Sequence, residues 1–180
     1  GATDDLDLVV QHSSLIGYTE IYLIGFSLGG NLTLKYMGEK SADLSPLVKK
    51  SIVFSVPLNL HSSCLEISKP SNWVYNRRFL ASLKEKVMMK AKIKSEINIR
   101  PLATIKSLLE FDDQYTAPIH GFKNAIDYYE QCSAIRFIES IERPTLIVNA
   151  LNDPFLSKDC YPDHLKDHPY LKVEYPKHGG

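Results

Sequence analysis

Residues 21–30 read IYLIGFSLGG: an apolar run that ends on a glycine, one serine two positions on, and two more glycines. The run Ile21–Gly25 has the length and composition of a strand buried on both faces. Directly after it, NLTLKYMGEK (31–40) has apolar residues at helical spacing: Leu32, Leu34, Tyr36 and Met37. Gly25-Phe26-Ser27-Leu28-Gly29 therefore fits G-x-S-x-G between a strand and a helix, the setting in which that pattern presents a nucleophile. The requirement is steric. A sharp turn at Ser27 pushes the hydroxyl out beyond the sheet, and the flanking positions are expected to be too crowded for a side chain. Ser27 then opens a helix, where the unpaired N–H of Leu28 can donate to a developing oxyanion. The plainer reading is a glycine-rich turn with a surface serine. The strand before and the helix after favour the nucleophile.

The pattern of elements continues outward from this turn. Upstream, Thr3-Asp4-Asp5 reads as a helix start, with Leu6, Val9, Val10 and Ser13 on one face and Gly17 suited to the left-handed exit. Downstream, KKSIVFSVPL (49–58), RPTLIVNALNDP (143–154) and LKVEYP (171–176) read as further strands. Strands alternating with helices imply a mostly parallel sheet, an α/β fold. Between Leu60 and Arg143 only helices are expected: 76–97, 101–111 and a third over 121–135. The predicted organisation is thus a core over 1–60, a helical cap insertion over 61–142, and core again over 143–180.

Composition limits the function classes. The 180 residues are 44% hydrophobic and 23% charged, with a formal net charge of zero. That is enough apolar material for a real core, and it offers no electrostatic case for a nucleic-acid partner. No apolar run is long enough to span a bilayer. The three cysteines, Cys64, Cys132 and Cys160, are sparse and unpatterned, which suits a reducing, cytoplasmic setting. The chain opens on GATDDL and closes on KHGG, and the expectation is a fragment of a longer protein.

A serine hydroxyl attacks well only if a base takes its proton, and that base is usually a histidine oriented by a carboxylate. In this architecture the chain order is serine, acid, histidine, each at a strand end. The first carboxylate after TLIVNA is Asp153, in ALNDPF. LNDP would also form an Asx turn unaided, so both readings apply to it. Asp112 and Asp113 lie in the helical stretch, at no strand end, and are weaker candidates. After LKVEY the chain offers His178, but a base directly following glycine would be the residue after Gly180. Cys160, His164 and His168 fall four apart, yet Pro162 and Pro169 interrupt the turns and the spacing matches no zinc pattern; no metal and no cofactor are expected. His12, His61 and His120 stand alone.

Together, GFSLGGNLTLKYMGE, FDDQYTAPIHGFKNAIDYYEQCSA, PTLIVNALNDPF and the final HGG resemble the YheT-like branch of the α/β-hydrolases, the AB hydrolase 4 family. Members carry a serine elbow running into G-N-x-x-x-K-Y-x-G-E, an F-D-x-x-x-T-A-x-x-x-G-F cap segment, a D-P-F acid strand end and a closing H-G-G-H. The resemblance implies that Ser27 is the nucleophile, Asp153 its acid, and the base the histidine one residue beyond Gly180, with His178 matching the first, non-catalytic one. It implies a C-terminal portion of the fold, without the early strands and the loop that gives the second oxyanion donor. It also implies a carboxylesterase or lipase acting on small acyl esters. Trp73, Phe79, Leu80, Met88 and Met89 are candidates to cover an acyl chain. Alternatives are a catalytically silent or truncated binding protein on the same fold, and an acyltransferase with the same triad.

Overall fold

The computed structural model describes residues 2–179. Helix α1 (Ala2–Leu15) leads through a turn into β1 (Ile21–Phe26), followed by α2 (Leu28–Lys40) and β2 (Val48–Phe54). A long helical passage comes next: α3 (Leu60–Ile67), α4 (Trp73–Ala91), α5 (Leu108–Phe111), a π-helical turn over Asp112–Thr116, α6 (Ala117–Ile119) and α7 (Ala125–Cys132). Then follow β3 (Thr145–Val148), two short 3-10 turns, and β4 (Leu171–Glu174). No strand interrupts the passage from α3 to α7 among the described residues.

The four strands form one parallel sheet in chain order, β1-β2-β3-β4. Register fixes which residues share a face. Leu23, Ser51, Thr145 and Leu171 align across the sheet, as do Gly25, Val53, Ile147 and Val173. This face is covered: Val53 and Ile147 are sealed in a core with Leu34, Tyr36 and Met37 of α2, Val10 of α1, and Ile138 and Ile141. Ser51 and Thr145, both buried, pair their hydroxyls at 2.8 Å, so neither is left unsatisfied. Helix α2 is enclosed so tightly that a Cβ on Gly38 would lie 2.0 Å from the carbonyl oxygen of Phe137.

The opposite face is open over β1. Tyr22, Ile24 and Phe26 alternate on it and are 56%, 63% and 65% exposed, and Phe26 stacks on Phe54 at 5.2 Å. The expectation that β1 is buried on both faces is therefore corrected: nothing described in this chain packs on that side. Val9, expected on the buried stripe of α1, also faces solvent, while Val10 is buried. Gly17 takes φ 96° and ends α1 as expected, although the helix is already formed at Thr3.

The helical passage has two small cores of its own. Leu80, Val87, Leu102, Ile105, Phe111 and Tyr115 form one, and Leu60, Cys64, Ala125 and Tyr129 the other. The expected helices over 76–97 and 101–111 are shorter than their patterns: α4 stops at Ala91, and 100–107 is a 3-10 turn and loop before α5. Pro101 opens the 3-10 turn, where its missing N–H costs nothing, and Ser107 starts α5 afresh by accepting from the Glu110 N–H at 3.1 Å.

Candidate functional site

Parallel strands deliver their C-terminal ends to one edge, and loops there carry the chemistry in open α/β sheets. Ser27 follows β1 directly. Its N–H donates to the Phe54 carbonyl at 2.9 Å, extending the β1–β2 ladder by one bond. Its backbone then turns to φ 49°, ψ −123°, a conformation that costs a non-glycine residue on the order of 1–3 kcal/mol. Ser41 and Ser55 also have positive φ. Strain alone therefore does not single Ser27 out. Position does: α2 begins at the next residue, whereas Ser55 runs on into Val56 and Pro57. The Ser27 carbonyl accepts from Gly30 and Asn31, so its hydroxyl sits at the N-terminus of a thirteen-residue helix, exposed.

The glycines around it are not equivalent. A Cβ on Gly25 would meet the Cα of Gly30 at 2.7 Å, and one on Gly30 would meet Val56 Cγ2 at 2.5 Å. Gly29 has open space. The expectation that crowding demands glycine at both 25 and 29 is correct for Gly25 only. The second crowded position is Gly30, where α2 passes over the β2 exit.

Asp153 lies beyond the end of β3 and is 9% exposed. Its Oδ1 accepts the Phe155 N–H at 3.0 Å, so the expected Asx turn is present. The turn is braced on both sides. Tyr161 donates its hydroxyl to the Ala150 carbonyl at 2.6 Å, and Asn72 donates to the Pro154 carbonyl at 2.8 Å. Burial, helped by the negative charge of Asp153, pushes the Tyr161 phenol up to about 12, which keeps it a donor at any working pH. Beneath the turn, fully buried Asn149 exchanges bonds with Val56 N–H and C=O and donates to the Cys160 carbonyl. It ties the β2 exit to the β3 exit.

The strand order puts Ser27 and Asp153 on the same edge, beyond β1 and β3 with β2 between them. His178, on the segment after β4, is exposed, and the neighbouring Gly179 would bring a Cβ to 3.7 Å from Ala150 at the start of the acid turn. Gly180 of the HGG motif lies outside the described residues.

The other candidates are placed elsewhere. Asp112 accepts from Tyr129 Oη and Thr116 Oγ1, each at 2.6 Å, and burial raises its carboxyl above the usual range. Asp113 accepts from the Ala125 N–H. His61 stacks on Tyr129. Cys160 is buried beside Ser63, while His164 and His168 both turn to Glu139, so these three do not converge. Of the proposed acyl-covering residues, Leu80 is 8% exposed and part of a packed core, and Phe79 packs edge-on against Phe155. Trp73, Met88 and Met89 face solvent. An open cavity of about 530 Å³ lies farther along, lined by Ile105, Leu109, Glu110 and Asp113 among others, and includes neither Ser27 nor Asp153.

Sequence reading missed Asn72, Asn149 and Tyr161. Asn72 and Asn149 act through contacts 82 and 93 residues apart in the chain, and Tyr161 reaches back 11 residues across the turn after β3; none of these leaves a local pattern. No helix among the described residues is long and apolar enough to cross a membrane.

No protein-family model matches the chain. A protein of Escherichia coli named as an esterase, YheT, is 34% identical over 167 residues, covering 91% of this chain and 48% of that protein. Phospholipase ABHD3 of Bos taurus is 29% identical over 182 residues, covering 99% of the chain and 44% of the relative. A monoacylglycerol lipase of Saccharomyces cerevisiae is 28% identical, covering 89% and 37%. The chain thus spans about half the length, or less, of the curated relatives it matches. With the strand–serine–helix turn at the edge of a parallel sheet, this similarity makes the chain part of an α/β-hydrolase fold that resembles the YheT-like branch over nearly all its length.

Proposed function

We propose that the whole protein is a serine hydrolase that cleaves carboxylic esters through an acyl-enzyme. The observation that carries this reading is the Ser27 turn: strained backbone, exposed hydroxyl, and a helix N-terminus beginning at the next residue. Ser27 Oγ attacks the ester carbonyl as a histidine takes its proton. Asp153 holds that histidine in the productive tautomer and stabilises the imidazolium. The Leu28 N–H, at the first position of α2, holds the oxyanion; one such donor is typically worth about 10²–10³ in rate. The histidine then returns the proton to the leaving alcohol, and water repeats the cycle to free the acid.

Adjacent strands are about 4.8 Å apart, which puts the ends of β1 and β3 about 10 Å apart. An imidazole between two hydrogen bonds of about 2.8 Å fits that gap. The base comes from the segment after β4, which passes the acid turn at Gly179–Ala150. The base favoured by the family resemblance is a histidine one residue beyond Gly180, and His178 is the alternative. The helical stretch 61–142 serves as a cap above the serine. The relatives named as esterase, phospholipase and monoacylglycerol lipase support an acyl ester as substrate.

Turnover of short p-nitrophenyl esters by the full-length protein, with and without Ser27→Ala, tests this. The variant is expected to fold normally and lose turnover. Unchanged turnover removes the reading.

A further inference from the structure

Asparagine is among the best helix N-caps because its side-chain oxygen accepts from the free N–H groups of the first turn. Asn72 stands at the N-cap of α4, is 5% exposed, and makes no such bond. Giving up a cap is a cost to the helix. The Asn72 amide nitrogen instead donates to two carbonyls from separate segments, Glu66 in the last turn of α3 at 3.0 Å and Pro154 at 2.8 Å. Pro154 directly follows Asp153.

The same helix grips the next residue as well. Tyr75 and Phe79 of α4 meet the Phe155 ring edge-on, at centroid distances of 4.9 and 5.8 Å. The Phe155 N–H is the group to which Asp153 Oδ1 is bound. One face of α4 therefore fixes both residues that determine where the carboxylate points. A side chain that spurns its local role for a buried, long-range one marks a position where the fold serves something other than local stability.

We propose that Asn72 is a positioning residue for Asp153, setting the orientation of the acid through the Pro154 carbonyl and linking it to α4. This rests on the reading of Asp153 as the triad acid. A loosened turn lets the carboxylate swing away from the base. The imidazolium is then less stabilised, the base pKa falls, and the acidic limb of the kcat/KM profile moves to lower pH.

The test is Asn72→Ser in the full-length protein. Serine can cap α4 and so spare its fold, but it is too short to reach Pro154. Expected are a melting temperature close to wild type, a kcat lowered about 10- to 100-fold with KM little changed, and a pH limb shifted downward. Hydrogen exchange at the Phe155 amide is expected to accelerate, a readout independent of activity. If Ser27-dependent turnover is present but kcat and the limb stay as in wild type, the positioning role is overturned, whatever happens to stability. If the wild type has no Ser27-dependent turnover, the hydrolase reading is what fails. Unaccelerated exchange at Phe155 then overturns the pin as well.

Discussion

The backbones of Gly25 and Gly30 meet so closely that a Cβ on Gly25 would lie 2.7 Å from the Gly30 Cα. Strand β1 and helix α2 thus touch without side chains at the turn between them, and this contact holds Ser27 in its strained conformation. Alanine at 25 must push backbone aside, and alanine at 30 must displace Val56. Overpacking of this kind costs about 1–3 kcal/mol. Gly29→Ala meets open space and gains helix propensity, so it is expected to be neutral or mildly stabilising. Urea midpoints of the three variants check the distinction, and equal losses at 25, 29 and 30 would contradict the packing described.

Asp7 of α1 accepts from Tyr36 Oη and Lys40 Nζ of α2, each at 2.9 Å. The Lys40 hydrogen bond, ahead of opposing burial and the Tyr36 bond, holds the Asp7 carboxyl below its ordinary value. A depressed carboxylate pKa gives stability that is present above the unfolded value, about 4, and lost as pH falls through the folded one. The pair is partly solvated, so the effect is small. Asp7→Asn should therefore be less stable than wild type at pH 7, and the gap should narrow below about pH 4. A gap of the same size at both ends of that range would show that the charge plays no part.

The open face of β1 is a liability in the isolated 180-residue chain. Edge strands with exposed apolar side chains invite pairing and aggregation. Ile24, 63% exposed at the centre of that face, is the sensitive position. Ile24→Lys is expected to lower self-association of the isolated chain in light scattering and to leave its circular dichroism unchanged. Scattering as strong as wild type would place the sticky surface elsewhere.

Tyr129 joins two parts of the helical passage: its hydroxyl donates to Asp112 at 2.6 Å and contacts Cys64 Sγ at 3.3 Å. Removing that donor leaves a desolvated carboxylate with less support, a loss of about 1–3 kcal/mol. Tyr129→Phe should show it in chemical denaturation. In combination with Asp112→Asn it should cost clearly less than the sum of the single changes, because the two share one bond. Strict additivity would mean that the bond carries little energy.

How far the sequence foretells this structure depends on the range of the interactions. The four strands and the elbow are legible because apolar runs, G-x-S-x-G and the Asn-Asp-Pro turn are local signals. KIKSEI continues a helical polarity pattern past Ala91, but Ile93 is 86% exposed and Ile97 packs on the Leu80–Tyr115 cluster from a turn, so a longer helix would bury no more apolar surface. The open face of β1 is not legible, because Tyr22, Ile24 and Phe26 look buried by composition, and composition does not say what lies opposite. The crowding at Gly30 leaves no local signal because its neighbour, Val56, lies on another strand's exit. Asn72 is invisible for the same reason: its partner is 82 residues away.

Everything functional rests on whether one alcohol, lifted above the strand ends, behaves as an activated nucleophile. Treating the full-length protein with a fluorophosphonate and mapping the modified peptide by mass spectrometry asks this without assuming a substrate. The expected result is a single adduct on Ser27, absent from heat-denatured protein and from Ser27→Ala. An intact, folded protein that leaves Ser27 unmodified, or that is labelled at another serine, would contradict the account.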